Sequence, residues 1–192
     1  MHSTPAATFS AALAEHLSVI LSLQHPVIER AASLLSGAMS SGRRLLLCGN
    51  GGSAADAQHL AAEMIGRFMV DRRAMPAVAL TTDTSVLTCI GNDYGFERIF
   101  ERQVQALGSP GDVLLALSTS GRSENVRLAL AAARQQGMIT IGLLGGDGGP
   151  CAALCDVPII VPSTSTARVQ EAHGLIGHYL CEVVERMAAS GG

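Results

Sequence analysis

The chain of 192 residues contains no lysine and no tryptophan, and only two tyrosines and four phenylalanines. With so few aromatics, a core has to be assembled from aliphatic side chains. Ala and Leu favour helix interiors, and runs of Val and Ile suit strands. All thirteen basic side chains are arginines scattered along the chain, and the net charge is −3. That pattern excludes electrostatic binding of nucleic acid as the main activity. No apolar run reaches the roughly 18 residues that a membrane span needs. The segment from Met1 to Ser10 has no basic stretch followed by an apolar one, so no secretory signal is expected and the chain is placed in the cytoplasm.

What is present is hydrophobicity: 48% of residues are apolar and only 15% are charged. The surplus is read as helix faces buried between subunits, which predicts a homo-oligomer. Cys48, Cys89, Cys151, Cys155 and Cys181 form no repeating pattern and are read as reduced thiols packed as small apolar groups.

Residues 7–41 read as two helices broken near His25-Pro26, with Phe9, Leu13, Leu17 and then Val27, Ala31, Leu34 at helical spacing. After Gly42 the pattern changes to short, wholly apolar runs at 44–48, 77–80, 113–117, 139–143 and 157–161. Each is too short for a helix and reads as a strand covered on both faces. Helical stretches are predicted between them at 53–68, 85–90, 96–107, 123–136 and 150–154, with a last helix over 166–187. Alternation of strands and helices predicts an α/β fold with a parallel sheet in a single domain over 1–192. Within it, 1–42 is a helical pair, 43–188 holds the core and final helix, and 188–192 reads as a loose tail. In such sheets ligands bind beyond the carboxyl ends of the strands.

The loop Ser118-Thr119-Ser120-Gly121-Arg122-Ser123 follows a strand and opens a helix. One hydroxyl would cap the helix; four hydroxyls around a glycine exceed that need. Backbone N–H groups, the helix dipole and the hydroxyls together suit a phosphate. Asn50-Gly51-Gly52-Ser53 has the same placement after the first strand, but it is neither a Walker A loop nor a dinucleotide fingerprint. Gly91-Asn92-Asp93-Tyr94-Gly95 reads as a polar loop between helices, for which a simple turn is an equal explanation.

His59 and Glu63 are four apart on one helical face, a spacing that suits half a zinc site but is more often structural. Gln170 and His178 are two turns apart on the last helix. His178 sits in an apolar stretch, and a buried histidine there would need partners for both ring nitrogens.

Taken together, Cys48–Ser53, Asp56-Ala-Gln-His59 with Glu63, Gly91–Gly95, Gly111–Leu115, Ser118–Gly121 with Ser123, and Val169–His173 with His178 resemble the sugar isomerase (SIS) domain family. Within it they resemble the isomerases of sedoheptulose 7-phosphate. The resemblance covers nearly the whole chain. It implies a five-stranded parallel sheet in flavodoxin-like order, with N-terminal helices used in oligomerisation, and a homotetramer whose active sites are shared between subunits. The implied reaction converts sedoheptulose 7-phosphate to D-glycero-D-manno-heptose 7-phosphate through an enediol, toward the heptose of bacterial lipopolysaccharide. The implied Zn2+ ligands are His59, Glu63, Gln170 and His178, with Glu63 and His178 as the acid/base pair. Substrate contacts carry over to Asn50, Gly51, Gly52, Ser53, Glu63, Asn92, Asp93, Ser118, Thr119, Ser120, Ser123 and Gln170. Ala167 stands where the family often places Asp, which leaves a different ketose phosphate open. Non-catalytic relatives that bind the replication initiator DnaA share the glycine loop and the Gln-Glu-x-His helix. The presence of His59, Glu63 and His178 together favours the enzyme.

Overall fold

In the computed structural model, which describes residues 8–190, the five apolar runs form five strands: β1 (Leu45–Cys48), β2 (Ala77–Ala79), β3 (Val113–Ser118), β4 (Ile139–Gly145) and β5 (Val157–Val161). All pair in parallel, in the order β2-β1-β3-β4-β5. The helices are α1 (Phe9–Leu21), α2 (His25–Ser40), α3 (Gly52–Ile65), α4 (Thr84–Tyr94), α5 (Glu101–Leu107), α6 (Glu124–Gln135), the single turn α7 (Gly149–Ala152) and α8 (Thr166–Ser190).

The period of two along each strand sorts the core into two layers. Leu45, Leu47, Val113, Leu115 and Leu117 point to the face covered by α2, α3 and α8. Leu46, Cys48, Leu114 and Ala116 point to the face covered by α4, α5 and α6. With both faces covered, the strands carry no polar alternation, and this is why they read as unbroken apolar runs. The thiols of Cys48, Cys151 and Cys181 are buried, and burial pushes those of Cys151 and Cys181 up to about 11 and about 12. Among the described residues no helix is long and apolar enough to cross a membrane.

Two expectations need correction. Residues 91–94 are not a loop: α4 runs through them to Tyr94 and stops at Gly95, whose φ of 93° suits the end of a helix. The Asp83 carboxylate accepts from Val86 N at 2.9 Å at the other end, and Ile90 is buried. A firm cap and one anchored apolar residue outweigh the weak helix propensity of Gly, Asn and Asp. The loose tail expected from residue 188 is also shorter, since α8 extends to Ser190; residues 191–192 lie outside the described region, as do residues 1–7, which hold most of the stretch read for a secretory signal.

Candidate active site

β1 and β3 are neighbours at the centre of the sheet, and the loops that leave their carboxyl ends build one rim of the candidate site. After β3, Ser118 Oγ lies 3.1 Å from Ser123 Oγ, and Arg122 N donates to Ser120 Oγ at 3.2 Å. Gly121 has φ of 64°, and a Cβ there would fall 2.1 Å from the Gly148 carbonyl oxygen, so the loop can turn and rest on the β4–α7 loop only with glycine at this position. Arg122 clasps that loop from outside, with Nη2 donating to both carboxylate oxygens of Asp147 at 2.9 and 2.7 Å. The Gly149 N–H and the Arg122 guanidinium hold the Asp147 carboxyl below its usual range. A cleft of about 790 Å3 opens here, lined by Thr119, Ser120, Arg122 and Asp147 on one side and by Ser163, Thr164 and Thr166 on the other.

After β1, the Asn50 side chain exchanges two hydrogen bonds with Asn125 in the first turn of α6, at 2.8 and 2.9 Å. Its carboxamide therefore ties the glycine loop to the helix that opens from the Ser118–Ser123 loop. Gly52, the first residue of α3, faces α8: a Cβ there would lie 2.0 Å from Gln170 Nε2. Gln170 thus lies against the glycine loop through space that a side chain at 52 would fill.

Two turns further along, α3 and α8 bring the acid/base candidates together. His59 Nε2 and His178 Nε2 are 2.8 Å apart, and His59 Nε2 is 3.7 Å from Glu63 Oε1. The carboxylate and the second imidazole are therefore both in range of one nitrogen. His178 is exposed and not buried as its apolar surroundings in sequence suggested; the buried histidine is His173. Neither ring nitrogen of His173 has a hydrogen-bond partner, and burial lowers its pKa to about 4, against which the nearby Leu144 backbone acts weakly. One turn before His59, burial raises the Asp56 carboxyl, with His59 opposing the shift.

Among the described residues no group of three or more His, Cys, Asp and Glu side chains is gathered tightly enough to hold a metal ion as it stands. The donor set nonetheless fits zinc. Two imidazole nitrogens aimed at each other require one protonated and one bare, and a shared cation would satisfy both. The carboxylate of Glu63 adds a third donor of suitable chemistry, while the Gln170 carboxamide lies against Gly52, two turns along α8 from His178.

Asn92 and Asp93 sit at the exposed end of α4 and hydrogen-bond to each other at 2.7 Å. Ser53 is buried in the first turn of α3.

The described fold agrees with what the chain is similar to. Residues 8–145 match the model of the SIS domain. A phosphoheptose isomerase of Citrifermentans bemidjiense is 56% identical over 179 residues, covering 92% of this chain and 93% of that protein. The chain belongs to the phosphoheptose isomerases of the SIS domain family. It is accordingly a sugar-phosphate isomerase. The phosphoheptose isomerase structure from Neisseria gonorrhoeae superposes with a TM-score of 0.86 at 46% identity, covering 92% of this chain and 96% of that one. That from Francisella tularensis does so with a TM-score of 0.87 at 38% identity, covering 93% and 94%.

For a phosphoheptose isomerase, the residues that sequence reasoning passed over are those with no motif of their own. Arg122 stood inside the quoted Ser118–Ser123 loop, and being the only cation in that stretch of sequence was the available signal. Asn125 follows that loop by two residues, but nothing local tied it to Asn50. Phe68 stacks on the His178 ring with centroids 5.5 Å apart, a contact that no spacing in the chain foretells.

Proposed function

We propose that the chain interconverts sedoheptulose 7-phosphate and D-glycero-D-manno-heptose 7-phosphate in the cytoplasm, a step toward the heptose of bacterial lipopolysaccharide. The observation that carries the reading is the meeting of His59, Glu63 and His178 at the crossing of α3 and α8. Aldose–ketose exchange needs a base for the proton alpha to the carbonyl and an acid to return one at the adjacent carbon. Glu63 and His178 supply a carboxylate and an imidazole, both beside His59 Nε2. The Ser118–Ser123 loop and the α6 N-terminus would hold the phosphate, so that binding energy from the unreactive end orients the reacting carbons. His59, Glu63, Gln170 and His178 would hold Zn2+, which when bound supplies Lewis-acid stabilisation of the enediolate oxygens. Asn50, Gly51, Gly52, Ser53, Asn92, Asp93 and Gln170 are the remaining proposed substrate contacts.

A homotetramer with sites at subunit interfaces is part of the proposal. Helix α1 has no buried residue: Phe9 is 83% exposed and Leu21 81%, and Leu13 and Leu17 are exposed on the same helix. Such an apolar stripe is normally covered by another chain.

The test is direct. Sedoheptulose 7-phosphate incubated with the purified chain should yield the aldose by NMR, with solvent deuterium entering at the exchanged carbon. Prolonged chelation should lower the rate and added Zn2+ restore it. No turnover of this sugar in the metal-loaded protein would refute the proposed substrate.

A further inference from the structure

Residues 66–76, between α3 and β2, are held by a buried ion pair outside the candidate site. The Glu185 carboxylate, on α8 two turns beyond His178, accepts from the backbone N–H groups of Phe68, Met69 and Val70 at 3.0, 2.7 and 3.1 Å. Arg72 Nε lies 3.4 Å from the same carboxylate, and both side chains are 4% exposed. The Arg72 fork turns the other way. Nη2 donates to the Glu63 carbonyl at 2.7 Å and Nη1 to the Met64 carbonyl at 2.8 Å. These are among the last carbonyls of α3, which have no partner within their own helix. One arginine thus caps the helix that carries His59 and Glu63 while pairing with a carboxylate on the helix that carries His178.

The link reaches the imidazole itself. Phe68, whose N–H is bound by Glu185, stacks on the His178 ring with centroids 5.5 Å apart and planes 28° apart. His59 meets the same ring at 80°, with centroids 5.1 Å apart. His178 is therefore held between the face of Phe68 and the His59 ring. Ionisation of a carboxyl this buried is opposed by desolvation, yet the three N–H groups and Arg72 hold it below its usual range.

We propose that Glu185 and Arg72 are positioning residues that fix the spacing of α3 and α8 and, through Phe68, the orientation of the His178 imidazole. The inference rests on the reading that Glu63 and His178 transfer the protons, since only then does their relative placement govern rate. A displacement of about 1 Å at a reacting group lowers kcat by up to roughly a hundredfold.

The test combines spectroscopy with kinetics. The protein carries 13C-labelled histidine, and the His178 ring signal is identified by its loss in His178→Gln. The Phe68 ring current moves that signal; Phe68→Leu, at a half-exposed position, defines its place without the stack. In Glu185→Gln the signal should shift toward the Phe68→Leu position, and kcat should fall about tenfold with KM held within about twofold. The Phe68→Leu/Glu185→Gln double variant should lose no more than the larger single loss. An unmoved His178 signal in Glu185→Gln, or losses that multiply in the double variant, overturns the proposal. If Glu185→Gln does not fold, Arg72→Lys, which keeps the charge and loses the fork, is read by the same criteria. If neither folds, full activity in Phe68→Leu overturns it and a kcat loss at constant KM supports it. Full activity in Glu63→Gln and His178→Gln would instead sink the proton-transfer reading, while the His178 signal would still report on the clasp.

Discussion

At the phosphate-loop cleft, the groups of the β3–α6 loop come from six consecutive residues, and their contacts are short-range or reach only the next strand's loop. At the α3–α8 crossing, His59 and His178 are 119 residues apart and meet only because both helices lie on the same face of the sheet. The first region is a local device that any strand-to-helix turn of this composition could form. The second exists only when the whole sheet is assembled. Under the proposed function, binding and chemistry fall to parts of the molecule with different dependence on the fold, and variants in each should fail differently.

The largest effect should come from Glu63→Gln and His178→Gln. Each is expected to lower kcat by about two to four decades, the range for acid/base groups, with an unchanged circular dichroism spectrum and melting temperature. Near-full activity in either would remove the crossing from the chemistry and leave the cleft as the only functional region.

Next comes Gly52→Ala, which probes the seam between the two regions. Alanine favours the helix at this position, so the melting temperature should not fall. The new methyl group would occupy the position now within 2.0 Å of Gln170 Nε2, and the flexible carboxamide must swing away. A loss of roughly ten- to a hundredfold in kcat would place Gln170 in the reacting assembly. An unaffected rate would show that the Gln170 carboxamide is not needed where it lies.

Ser120→Ala should have the smallest effect and a different signature. Removing one hydroxyl donor from the cleft is expected to raise KM about three- to tenfold and leave kcat near its original value. A fall in kcat with KM constant would mean that the cleft does more than bind.

The same contrast explains what could be read from the sequence. Strands buried on both faces have to be apolar throughout, and β1 and β3 stood out for that reason. The Ser118–Ser123 loop stood out because its hydroxyls are contiguous. The i, i+4 spacing of His59 and Glu63 was visible, but its meeting with His178 came from family resemblance, because spacing within each helix says nothing about which helices touch. The Arg72–Glu185 pair gave no signal, since each residue alone looks like a solvated charge and only the packed chain buries them together. The error at 91–94 has the opposite origin: turn-forming residues were weighed locally, while Asp83 and Ile90 held the helix from elsewhere.

The position of α8 at the end of the element order carries a consequence for synthesis. A ribosome releasing this chain delivers all five strands before the histidine that faces α3 has emerged. Until that final segment docks, the nascent sheet displays its glycine and serine loops with one of the two facing imidazoles and not the other, so under the proposed function a stalled or clipped product would be inert toward its sugar however well its strands had paired.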